Sequence, residues 1–183
     1  MSEQTLITYC APTLAGMKTG NLFTCKTEGR DTVEREIRRM NQVLNKKGVY
    51  VRLLAERNGR FLIYVYRPKQ LKKDLADPAA ANILTEAGYS RENVEVMLSF
   101  LAERIGRSGE FPHEIGLFLG YPAEDVVGFI ENKGCHYKCC GLWKVYSDET
   151  AAQELFTKYQ KCTQIYCRKL AEGISLQRLT VAG

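Results

Sequence analysis

The side chains best suited to chemistry crowd into one string, Cys135-His136-Tyr137-Lys138-Cys139-Cys140. Thiolate and imidazole are the ligands that zinc and other soft metals prefer. Cys135, His136, Cys139 and Cys140 could therefore supply a zinc or other soft-metal site, or a group of reactive thiols. The spacing is not C-x2-C, and no second C-x2-C or H-x3-H follows it. Cys162 and Cys167 could complete such a site only if a helix carrying them packed on this loop. Five residues apart, they stand ~140° around a helix and do not face one ligand together. The plainer reading is a set of buried thiols leading into a strand, because free cysteine is among the most buried residue types.

Two further groups could do acid–base or nucleophilic work. His113-Glu114 falls where Pro112 opens a helix, and the helix dipole favours a carboxylate there. Its plainer reading is a solvated glutamate beside a histidine packed on Phe111. Cys10, just before Pro12, could act as a nucleophile paired with His113 or His136 across the fold. A buried core cysteine is the plainer reading. None of these groups forms a complete catalytic set, so enzyme and binding protein both remain open. No G-x-G-x-x-G, Walker A or G-x-S-x-G string is present, which removes the common nucleotide-binding and hydrolase readings.

Ile115 to Ile130 reads as helix, glycine-bearing turn and second helix, the outline of a helix-turn-helix. The second helix begins Ala123-Glu124-Asp125, and two acids there repel phosphate, so the charge argues against nucleic acid. Tyr64 and Tyr66 on a strand suit either an aromatic platform or packing under a helix. The basic stretches 35–47 and 69–73 are mixed with acids or polar residues, as on a solvated helix face.

The elements that must position these groups follow from pattern. The chain has 183 residues, 45% apolar and 26% charged, with a net charge of +5. That is enough for one globular domain, residues 1–183, with its own core. No apolar run reaches the ~18 residues of a bilayer span. The first sixteen residues lack a basic stretch followed by an apolar one, which predicts no signal peptide, a cytoplasmic location and no membrane partner. Seven cysteines, an odd number, fit reduced thiols rather than a disulfide framework.

Thr5–Cys10 reads as a short strand or turn, and Asn21–Cys25 as a strand. Asp31 caps a helix to Lys47, with Val33, Ile37, Met40 and Leu44 on one face and Gly48 ending it. Arg57-Asn58-Gly59-Arg60 is a type I′ hairpin turn that sets Arg57 opposite Arg60. That register puts Val51, Leu53 and Ala55 on a face with Leu62, Tyr64 and Tyr66. Tyr50, Leu54, Phe61, Ile63 and Val65 fall on the other. Both faces are largely apolar, so both strands are expected to be central.

Pro68, Asp77-Pro78, Ser90, Pro112 and Pro122 each open a helix, with Gly88 and the stretch 106–109 as breaks. A strand is expected at Leu142–Tyr146. Asp148 then caps a long helix to Ala171 with the stripe Leu155, Tyr159, Cys162, Tyr166 and Leu170. The tail from Ile174 is expected to be extended or frayed. Gly88-Tyr89-x-x-Glu92-x-Val94 echoes Gly120-Tyr121-x-x-Glu124-x-Val126, through repeated turn chemistry or two stacked helical hairpins. Together the elements predict an α+β fold, a mostly antiparallel sheet of three to four strands packed with several helices.

CAPTLAG-x-K-T-G-NLF near the start, FPHEIG-x-FLGYP-x-EDV-x-GFIENKG in the middle and CCGLWKVYSDE after it carry a resemblance. They resemble a bacterial family catalogued as a domain of unknown function and found mainly in anaerobic Firmicutes. The resemblance runs from about Cys10 to Leu179. It implies a bacterial, cytoplasmic, single-domain protein and supplies no catalytic residues. The preferred functional reading is a non-catalytic binding or accessory protein, with residues 111–143 forming the surface for a small molecule or a protein partner. A metal- or thiol-dependent protein and a helix-turn-helix-like nucleic-acid binder are the alternatives.

Overall fold

The structure is a computed structural model that describes residues 1–90, 92–108 and 111–183. Its centre is a three-stranded antiparallel sheet in the order β1 (Gly20–Lys26), β3 (Arg60–Tyr66), β2 (Tyr50–Arg57). The Asn58-Gly59 turn has φ of 50° and 66° and sets Arg57 opposite Arg60, as the hairpin signal requires. One residue is then inserted at Leu54, because Leu53 pairs with Ile63 and Ala55 with Leu62. This bulge reverses the expected faces beyond it, since a shift of one residue turns every side chain over. Val51 and Leu53 join Phe61, Ile63 and Val65, while Leu54 joins Leu62, Tyr64 and Tyr66.

Only β3 is central; β2 lies at an edge. The side chain of Asn41 closes that edge, donating to the Val51 carbonyl at 2.9 Å and accepting from the Val51 amide at 2.8 Å.

Helices cover both faces of the sheet. On the Phe61, Ile63 and Val65 side lie α1 (Glu3–Leu14) and α2 (Arg30–Leu44). Thr5–Cys10 is thus helical rather than a strand or turn. Ser2 caps α1, accepting from the Thr5 amide at 3.1 Å. Leu6, Ile7, Cys10, Ala11 and Leu14 fill its inner face, and Pro12 falls in the last turn. Asp31 lies in the first turn of α2 instead of capping it, and a 3-10 turn at Asn45–Lys47 leads to left-handed Gly48 at φ 74°.

The opposite face, with Leu62, Tyr64 and Tyr66, is covered by a cluster of helices. These are α3 (Pro68–Leu75), α4 (Pro78–Glu86), α5 (Val94–Ser108), α6 (Ile115–Phe118) and α7 (Ala123–Glu131). Tyr64 and Tyr66 stack at 4.7 Å and are buried, so they are core and not an open platform. Asp77 caps α4 as expected. Asn93, not Ser90, caps α5, accepting from the Val96 amide at 2.9 Å. The end of the expected break, Gly109, lies outside the described residues, and so does Arg91 within the first Gly-Tyr echo. The echo itself is shared turn geometry. Gly88 and Gly120 have φ of 85° and 73°, and the Tyr89 and Tyr121 amides reach back to the Leu84 and Gly116 carbonyls.

A short hairpin, β4 (Cys139–Cys140) with β5 (Lys144–Val145), replaces the single longer strand expected at Leu142–Tyr146. Asp148 caps α8 (Glu149–Ala171), which packs along α1. The buried residues of α8 are Ala152, Phe156, Tyr159 and Cys162, so the apolar stripe starts earlier than the sequence suggests and admits Phe156. The tail forms a helical turn, α9 (Leu176–Leu179), instead of extended chain, and Leu176 is buried in the α1 core.

Candidate functional site

The sequence-predicted residues are spread over three places. Cys135 and His136 are exposed in the loop after α7, with His136 at φ 57°. Cys139 and Cys140 follow in β4, where neighbouring side chains leave opposite faces of the strand. Cys139 packs on the cluster around Trp143, while Cys140 is exposed. Among the described residues no three His, Cys, Asp or Glu side chains gather as a metal would need. Cys10 and Cys162 are buried on α1 and α8.

His113 and Glu114 have different partners. His113 lies against the Phe129 ring at 5.0 Å. Glu114 is buried, accepting from the Tyr89 hydroxyl at 2.9 Å and ion-paired with Arg104 at 2.9 Å. The helix-turn-helix outline is real in α6 and α7, but Asp125 in the first turn of α7 faces inward. It accepts from the Tyr146 and Ser147 amides at 2.8 Å and from the Trp143 indole at 2.7 Å.

A site emerges where the first and second sequence strings meet. Gly16, left-handed at φ 76°, ends α1 and turns the chain into Met17-Lys18-Thr19-Gly20. The Thr19 hydroxyl donates to Asp74 of α3, and the Thr19 carbonyl accepts from the Arg67 amide at 3.0 Å. Thr19 also lies against Gly120, where a Cβ would come within 2.8 Å of its hydroxyl. The Lys18-Thr19-Gly20 turn is thereby held against Gly120-Tyr121.

Between them opens a cavity of about 440 Å³, walled by Lys18, Asp74, Asp77, Leu117, Tyr121 and Pro122 among others. That is within the range of small-molecule sites, ~300–1,000 Å³. Lys18 is only 7% exposed. Its ammonium nitrogen donates to the Gly20 carbonyl and lies 5.1 Å from the centre of the Tyr121 ring. It forms no ion pair among the described residues. Burial lowers the Lys18 pKa to about 7, with Cys10 opposing the shift slightly. Burial likewise pushes the Cys10 thiol well up, against the nearby Lys18 charge. Tyr121 is raised to about 12 by burial and keeps its proton.

The far wall is braced from behind. Tyr121 stacks on Trp143 at 4.7 Å, and Trp143 meets Phe156 of α8 edge-on at 4.5 Å. Asp125 fixes the indole. Across the cavity mouth, the Tyr159 hydroxyl donates to the Met17 carbonyl at 3.1 Å. On the other side of Tyr121 a second, more apolar hollow of about 330 Å³ is lined by Phe129, Cys140, Leu142 and Trp143.

Residues 111–143 thus contribute one wall of the larger hollow and nearly the whole lining of the smaller one. The wall facing them in the larger one was not foreseen from the sequence. A lysine inside the otherwise uncharged run CAPTLAGMKTGNLF was the available signal, because a charge so placed must be either solvated or used.

The family model described as "Protein of unknown function (DUF3793)" matches residues 6–180, nearly the whole chain. No curated protein and no solved structure matches it. No helix among the described residues is long and apolar enough to cross a membrane.

Proposed function

We propose a function for a chain that belongs to the DUF3793 family: it is a binding protein for a small hydroxylated molecule, held between Lys18 and Tyr121. The observation that carries this reading is a buried lysine with no counter-ion among the described residues, beside an open cavity. A cation taken out of water and left unpaired is costly, and proteins keep one where a ligand relieves it. Lys18 calls for an acceptor oxygen on the ligand. Asp74 and Asp77, which also line the cavity, call for hydroxyl or amine donors and disfavour an anion. Tyr121, Leu117 and Pro122 suit an apolar edge or carbon skeleton. The 111–143 segment supplies that wall, which supports its role as a ligand surface. Asp125 turns inward onto its own donors, and Glu124, exposed in the first turn of α7, would repel a phosphate there, which favours this reading over a helix-turn-helix one.

Thermal unfolding with glycerol, ribitol, glucose and serine tests the proposal. At least one is expected to raise the melting temperature of the native chain and to have no such effect on Lys18→Met. A ligand near 100 times its Kd stabilises by about 2.7 kcal/mol, a shift of several degrees. No response from any of the four, or an equal response in Lys18→Met, would overturn it.

A further inference from the structure

We infer that the ligand of the Lys18 cavity is a carbonyl compound, a hydroxylated aldehyde or ketone, which Lys18 holds as an imine. The inference rests on the binding reading above and names the ligand class for the same cavity. Three features of the geometry point to it. Lys18 is buried yet lines an open cavity, which gives a ligand a route to it. Its ammonium nitrogen donates to the Gly20 carbonyl, which orients it. No carboxylate pairs with it among the described residues, and the two carboxylates that also line the cavity, Asp74 and Asp77, would repel the anion that an ammonium site would otherwise collect.

The electrostatics agree with the geometry. With a pKa near 7, about half of Lys18 carries a free lone pair at neutral pH, whereas an ordinary lysine at 10.5 carries almost none. Buried lysines with shifted pKa are the ones that serve as amine nucleophiles. In the step itself the Nζ lone pair forms a bond to the carbonyl carbon, and the C=O pair moves onto oxygen. The two nitrogen hydrogens pass to that oxygen, which leaves as water, and C=N replaces C=O. No electrons are gained or lost, and no co-reactant is needed. Asp74 and Asp77 would accept hydrogen bonds from hydroxyls on the neighbouring carbons of the ligand.

Glyceraldehyde and glycerol form a matched pair of probes, alike except for the carbonyl. The native chain is treated with glyceraldehyde and cyanoborohydride at pH 7, then digested and mapped by mass spectrometry. Lys18 is expected to acquire the reduced adduct on the order of ten-fold faster than any other lysine, with a rate that rises through a midpoint near its own pKa. Because the adduct is located on the native chain, the result does not depend on a variant folding. Lys18→Arg should lose that adduct and leave labelling of the other lysines unchanged. Adducts spread over exposed lysines with Lys18 unmodified would overturn the inference. If glycerol stabilises the chain through Lys18 while glyceraldehyde leaves no adduct there, the imine falls and the binding reading stands. If neither binds nor reacts, both fall.

Discussion

The Trp143 indole donates to Asp125 Oδ2 at 2.7 Å, while Oδ1 of the same carboxylate takes the Tyr146 and Ser147 amides. One buried acid thus pins the β4–β5 hairpin to α7 and, through the Trp143–Tyr121 stack, braces the wall of the cavity. Removing it leaves three donors without their partner. Asp125→Ala is expected to cost about 3 kcal/mol in denaturant unfolding. It should also change the fluorescence of Trp143, the only tryptophan in the chain.

The same carboxylate predicts an acid response. Burial would raise the Asp125 pKa, but the Tyr146 amide, the Trp143 indole and Ser147 outweigh it and hold it below the ordinary 3.8. A depressed acid stabilises the fold above its unfolded pKa and loses that contribution as pH falls through the folded one. Stability of the native chain should therefore drop below about pH 3.8, with a smaller drop in Asp125→Asn. Trp143 emission against pH, in both proteins, checks it.

Lys18 predicts a trend of the same sign, shifted to neutral and alkaline pH. Its folded pKa of about 7 lies below the ordinary 10.5, so between those values the unfolded chain binds a proton that the folded chain lacks. Stability then rises with pH from about 7. Above pH 9 the raised Cys10 thiol works against this, because the folded chain keeps a proton that the unfolded chain releases. The window to measure is pH 7 to 9: chemical unfolding should show the rise in the native chain and not in Lys18→Met.

Gly20 is required by a close approach. A Cβ there would come within 2.6 Å of the Tyr64 ring and 2.9 Å of the Phe118 carbonyl, the acceptor of the Tyr64 hydroxyl. Gly20→Ala is expected to destabilise by about 1–3 kcal/mol, the range for overpacking a filled core. Equilibrium unfolding checks the magnitude.

Glu114 joins Arg104 of α5 and Tyr89 to α6. Arg104 is partly solvated, which softens the loss, so Glu114→Ala is expected to cost about 2 kcal/mol. Ligand-induced stabilisation at the Lys18 cavity should persist in this variant.

The legible parts of the sequence were local. Asn58-Gly59 fixed the hairpin, and Asp77, Asp148, Pro68, Gly48 and Gly88 placed helix boundaries, because turn and cap geometry depends on neighbouring residues alone. The Leu54 bulge was hidden, since a sheet apolar on both faces gives no alternation from which to read a register. α1 was hidden by Pro12 and by the mixed residues around Leu6 and Cys10. The candidate site was half legible. Its Gly120-Tyr121 wall lay inside the segment that looked richest, but Lys18 matters only because α1, β1 and α6 converge on it. Cysteine and histidine drew attention by type, yet strand alternation sends Cys139 and Cys140 apart, and Glu114 has its own ion pair.

Strand β3 sends Phe61, Ile63 and Val65 into one apolar layer and Leu62, Tyr64 and Tyr66 into the other. Neither layer can melt without stripping a side of the strand the other depends on. The two halves are thus tied into one cooperative transition, and amides of β3 should be the slowest in the molecule to exchange with deuterium.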